Sequence, residues 1–110
     1  MNDTDRTKRI AALNDRLRTT FFGGKIMMTA AVDEMARRGV PILQAVRAFN
    51  DFNPDNDPYS EHDFGSFNIN GETFFWKIDY YDEMMEHGSE DPADVTKTTR
   101  VLMVMLASEY

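Results

Sequence analysis

A chain of 110 residues with 42% hydrophobic residues and thirteen aromatic side chains can bury about two-thirds of its unfolded surface around one core, which excludes a disordered acidic tail and leaves no room for a second domain. It has no cysteine, which excludes disulfide staples, thiolate nucleophiles and cysteine-held zinc. Its net charge of −7 argues against direct binding to a phosphate backbone.

The charge is segregated along the chain. Residues 51–94 hold thirteen carboxylates and one base, Lys77, a local charge of −12, whereas residues 1–50 hold nine bases and five acids. A block this acidic attracts basic partners and repels nucleic acid. There is no internal repeat or low-complexity segment, so the change of charge near residue 50 falls inside one domain spanning residues 1–110, of which residues 1–3 are expected to be disordered.

The first element predicted is a helix over residues 4–18. Ile10, Leu13 and Leu17 recur at spacings of three and four, while Arg6, Lys8, Arg9, Arg16 and Arg18 take the other faces. Gly23-Gly24 ends it, because two residues without Cβ cost a helix about 2 kcal/mol. Residues 25–29 suit a short strand and residues 30–38 a helix stopped at Gly39. Pro41 opens a third helix to about residue 49, with Ile42, Ala45, Val46 and Phe49 on one face. Residues 50–61 hold two prolines, three asparagines and three aspartates and form a loop, Asp51 closing the helix before it.

The most legible segment is residues 64–81, a hairpin closed by Asn70-Gly71, the pair preferred in type I′ turns. A two-residue turn sets Phe67 against Phe74 and Ile69 against Glu72, with Trp76, Ile78 and Tyr80 on the same, core-facing side. Ser66, Asn68, Thr73, Phe75, Lys77, Asp79 and Tyr81 take the other side. Residues 82–90 are an acidic connector. Asp91, Pro92 and Asp94 then look like the start of a final helix, and the apolar run beyond them, with Val95, Leu102, Met105 and Leu106 as its inner stripe, predicts that this helix is buried. The expected fold is therefore α+β: a small antiparallel sheet built on the hairpin, with the short strand at 25–29, packed against about four helices including a buried C-terminal one.

Three segments, NDPYSEHDFG (56–65), FWKIDYYD (75–82) and SEDPADVTKTTRVLMVMLASEY (89–110), resemble the bacterial domain-of-unknown-function family 3768, small proteins of alphaproteobacterial chromosomes and plasmids. The resemblance runs from about Asn14 to Tyr110. The departures from the family's usual wording are Ser60 for Gly, Glu90 for Pro, Val95 for Pro and Met103 for Thr. The resemblance implies no activity, and its plasmid-borne members imply by association an anti-defence role, of anti-CRISPR or anti-restriction type.

No residue pattern assigns a catalytic or metal role. Aligned on Asp51, a calcium-loop template finds Asn53 and Asp55 in place but Asn56 where glycine is needed and His62 where a bidentate glutamate belongs. His62 lies between Glu61 and Asp63 without a nucleophile or phosphate-binding loop, and is expected to be structural; His87 belongs to the connector. The aromatic run from Phe74 to Tyr81 reads as core, because base stacking needs a basic groove and only Lys77 is at hand. Met84 and Met85 stand in a polar connector where they are available to a partner.

The leading expectation is a non-enzymatic interaction protein that presents Asp55, Asp57, Glu61, Asp63, Asp79, Asp82, Glu83 and Glu86 to a basic protein surface, such as the nucleic-acid channel of a DNA-handling or defence complex. No cofactor, metal, membrane or direct nucleic-acid contact is expected. The five bases of the first helix are either a solvated face or a complementary patch through which copies can associate. The longest apolar run, residues 101–107, is seven residues against the roughly twenty that span a bilayer, and the N-terminus lacks an apolar signal region, so a soluble cytoplasmic protein is expected. Two other readings stay open: a housekeeping or regulatory module whose acids only solubilise it, and a metal-dependent enzyme using Asp55, Asp57, Glu61 or Asp63.

Overall fold

Helix α1 (Asp3–Thr20) begins where Asn2 accepts the Asp5 amide on its side-chain oxygen at 2.8 Å and ends at Phe21, which is left-handed with φ 64°. The computed structural model describes residues 2–110. Of residues 1–3, expected to be disordered, Asn2 caps and Asp3 opens this helix, and Met1 lies outside the described residues. Strand β1 (Lys25–Met28) leads into α2 (Ala30–Arg37), capped by the Thr29 hydroxyl, and Pro41 precedes α3 (Ile42–Ala48). Residues 50–63 cross to β2 (Phe64–Ile69), which pairs antiparallel with β3 (Glu72–Tyr81).

In that pair Phe67 lies opposite Phe74 and Ile69 opposite Glu72. Asn70 and Gly71 between them have φ of 53° and 85°, the two positive values that a type I′ turn needs and that asparagine and glycine tolerate. The inward side of β3 carries Phe74, Trp76 and Ile78, all buried. They meet Leu17 of α1, Val32 of α2 and Ile42 and Val46 of α3, so the helices' core residues gather on one face of the sheet.

The expected C-terminal helix is absent, and the structure corrects it to a strand. Residues 91–98 form tight turns, in which Asp91 accepts the Ala93 amide and Asp94 the Thr96 amide on their side chains. The apolar run is β4 (Thr99–Leu106), followed by a single 3-10 turn, Ala107–Glu109. The sheet order is β1-β4-β3-β2, with β4 parallel to β1 and antiparallel to β3. A strand flanked on both edges and packed on both faces reads as continuous apolar residues, the pattern a buried helix shares. Three α-helices are therefore present among the described residues, not four. Among the described residues no helix is long and apolar enough to cross a membrane.

Candidate interaction site

The topology gathers part of the acidic block at one end of the sheet. β2 starts, β3 ends and β4 starts there, so residues 61–63, 79–83 and 90–94 are brought together although they are far apart in sequence. Two bases of α1 reach this end. Arg6 donates to Asp91 through Nε (3.2 Å) and Nη2 (3.0 Å), and Arg9 Nε donates to the Ala93 carbonyl at 2.8 Å. Part of the complementarity that the sequence offers for association between copies is thus used within one chain.

Behind this contact lies a buried polar network. Arg100, 2% exposed, donates through Nε to Asn14 Oδ1 at 2.8 Å and through Nη2 to the Pro92 carbonyl, while burial lowers its pKa. Asn14 Nδ2 donates to the Glu61 carbonyl (2.9 Å) and to the Tyr80 hydroxyl (2.8 Å), which donates to Glu61 Oε1 at 2.8 Å. Burial pushes the Tyr80 phenol well above its ordinary value, so it stays a donor.

Asp63 lies beside this network, where burial first and the neighbouring Glu61 second hold its carboxyl above the ordinary 3.8. A raised carboxylate pKa means that the folded chain retains a proton the unfolded chain has lost. Its stabilising contribution is present below pH 3.8 and is lost as the pH rises through the folded value. Asp63→Asn is expected to raise the urea midpoint at about pH 7 and to leave it unchanged at about pH 3, where both side chains are neutral. An unchanged midpoint at neutral pH contradicts this reading of Asp63.

His62 is held on three sides. Its Nδ1 donates to both carboxylate oxygens of Asp15 at 3.0 Å, its Nε2 lies 3.7 Å from Asp57 Oδ2, and its ring stacks on Phe52 with centroids 3.9 Å apart. His62 has φ 56°, a strained value for a non-glycine residue, and its amide donates to Asp57 Oδ1 at 3.1 Å. Asp57 is 6% exposed and serves this turn. Arg18 completes the region: its Nη1 donates to the carbonyls of Val46 (3.0 Å), Arg47 (3.2 Å) and Phe49 (2.7 Å) at the end of α3, and its Nη2 to Asp15 at 3.1 Å. The guanidinium lies 5.4 Å from both the Phe52 and the Trp76 ring centroids.

Of the eight acids expected to face a partner, five are engaged by the fold, Asp82 within the 82–90 connector and four outside it. Asp57 closes the His62 turn, Glu61 receives Tyr80, Asp63 sits partly buried beside Glu61, and Asp79 accepts from Lys77 Nζ at 2.7 Å. That bond also raises the Lys77 pKa. Asp55 is exposed in the 50–63 loop. Among the described residues no three His, Asp or Glu side chains are grouped so as to hold a metal ion.

The remaining three, Asp82, Glu83 and Glu86, share the connector. This segment folds on itself through an isolated bridge between Tyr81 and Gly88, the Asp82 amide donating to the His87 carbonyl at 2.8 Å and the Ser89 amide to the Tyr80 carbonyl at 3.0 Å. Asp82 accepts the Glu86 amide at 3.0 Å, and this bond holds its carboxyl below the ordinary value. Glu83, Met84, Met85 and Glu86 are exposed at the tip, Met84 by 75%. A cleft of about 400 Å³ lies alongside, lined by Asp82, Glu83, Met84, Gly88, Glu90 and Lys97.

Sequence reasoning missed the roles of Asp15, Arg18, Asn14 and Arg100, since each acts across more than twenty residues of separation. The one available signal was polar residues at Asn14 and Arg18 beside the apolar stripe of the first helix. Residues 28–109 match a family described as proteins of unknown function (DUF3768). No curated protein and no solved structure matches the chain.

Proposed function

The chain belongs to this family of proteins of unknown function, and we propose that it is a non-enzymatic binding protein whose 82–90 connector receives a basic, partly apolar segment of another protein. One observation carries the reading: an exposed methionine, Met84, lines a cleft together with Asp82, Glu83 and Glu90, and the exposed Glu86 follows it in a segment whose backbone is held by its own hydrogen bonds. Carboxylates steer and orient a cationic segment, and an unbranched thioether adapts to whatever apolar side chain arrives with it.

In its narrower form the partner is a DNA-handling or defence complex, and the connector occupies part of a basic nucleic-acid channel, as an anti-CRISPR or anti-restriction inhibitor would. The patch that supports this is short, with five of the eight expected acids turned to structural work, so contact at one point of a channel fits better than imitation of a long run of phosphates. A merely solubilising acidic surface is the competing reading.

The test combines Glu83→Gln, Glu86→Gln and Glu90→Gln with Met84→Ala. Binding to a basic amphipathic peptide is expected to weaken by at least about tenfold, or about 1.4 kcal/mol, while Tm is unchanged, since among the described residues the only ion pair removed is the exposed one between Glu90 and Lys97 at 3.3 Å. Reduced solubility with unaltered binding would favour the solubilising role instead.

A further inference from the structure

The sheet has two edges, and they are protected very differently. β1 is four residues long and opens with the exposed Lys25, a charge of the kind that discourages pairing with another chain. β2 is six residues, Phe-Gly-Ser-Phe-Asn-Ile, with no charge and no proline, in a chain of which 28% is charged. It carries none of the usual devices that blunt an edge.

The direction of its free backbone groups follows from the ladder. The Ile78 amide donates to the Asp63 carbonyl at 2.8 Å, so the pairs bonded to β3 are those of Asp63, Gly65, Phe67 and Ile69. The amides and carbonyls of Phe64, Ser66 and Asn68 point away from the sheet. Among the described residues no backbone or side-chain group meets them. Asn68 uses only its side chain, which receives the Gly71 amide at 3.0 Å.

We propose that this edge pairs with the same edge of a second copy, giving a two-fold dimer with one continuous sheet. The occupant is a second copy because the pattern is self-complementary about Ser66. Antiparallel pairing there sets Ser66 against its own counterpart and Phe64 against Asn68, and the three outward residues of each chain become each other's bonded pairs. On the helix-covered face Phe67 comes opposite Gly65, which has no side chain to oppose it. Each copy carries −7, so two copies repel over most of their surfaces and meet most readily along an uncharged strand. The pairing therefore strengthens as salt rises, the reverse of association between α1 bases and the acidic block of another copy.

Sedimentation of the full chain at high micromolar concentration tests this. The expected result is the mass of two chains, retained in high salt and reduced to one chain by Ser66→Pro, which removes an outward amide and leaves the β2–β3 ladder whole. Ser66→Lys keeps that amide and sets like charges face to face, and is expected to dissociate the dimer even if the proline variant folds poorly. Because the chain has no cysteine, Ser66→Cys places one thiol against its own copy at about 5.5 Å between Cα atoms, within disulfide reach. It is expected to form a covalent dimer on mild oxidation far faster than Ser108→Cys. A monomeric wild-type chain, a dimer that survives Ser66→Lys, or equal cross-linking of the two cysteine variants overturns the proposal.

Discussion

Gly65→Ala is expected to cost about 3 kcal/mol, lowering Tm by on the order of 15 °C. A Cβ built on Gly65 falls 2.3 Å from Trp76 Nε1, 2.7 Å from Trp76 Cε2 and 2.8 Å from Phe49 Cζ. These neighbours are ring atoms that cannot bend aside. Trp76 is fully buried and meets Phe49 edge-on at 5.5 Å and Phe52 at 6.1 Å, so a shift of the indole propagates through all three rings. The same closeness explains why the buried Nε1 has no hydrogen-bond partner among the described residues: it abuts the bare Cα of Gly65. Trp76 is the only tryptophan, which makes its emission maximum a direct readout. A variant with native Tm and unshifted emission would mean that the ring cluster yields more easily than these distances allow.

Arg18→Leu is expected to cost a similar amount, about 3 kcal/mol, through a different cause. Leucine fills the space between Phe52 and Trp76 but leaves the last carbonyls of α3, from Val46, Arg47 and Phe49, without the donor that satisfies them. The 4% exposure of Arg18 leaves little room for water to replace it. Arg18→Lys is expected to fall between, because one ammonium cannot span both the three carbonyls and Asp15. Chemical denaturation with an unchanged m-value checks the ordering of the three proteins, wild type above Lys above Leu. Equal midpoints for Lys and Leu would show that the fork geometry contributes nothing.

Local signals in the chain were legible where one force dominates. Asn70-Gly71 carries the positive φ values of a tight turn, and the alternation from Phe74 to Ile78 marks the buried side of β3. Pro41 stands at a helix start for a reason local to that helix, whereas Thr29, expected in the strand, caps α2. Residues 99–106 were misread because a fully buried strand and a fully buried helix look alike by periodicity. Thr98 and Thr99 with the branched Val101 and Val104, and a length of eight residues, were the cues for a strand. At the candidate site, charge was legible but engagement was not. Nothing near Glu61 in sequence indicates that Tyr80 donates to it, nor does Asp57 announce the turn at His62 that buries it. Asp55 and the tip of the connector, whose contacts are local, keep the exposure their composition implies.

Selective ¹³C labelling of the methionine methyls tests the connector most directly, because Met84 is 75% exposed there and Met85 38%, while Met105 is buried at 6%. Titration with a lysine- and leucine-rich amphipathic peptide is predicted to shift the Met84 and Met85 methyls saturably at low salt, to lose that shift at high salt, and to lose it in the chain neutralised at Glu83, Glu86 and Glu90. Methyls that stay unmoved, or that shift alike in the neutralised chain, would contradict the connector as the surface that receives a basic partner.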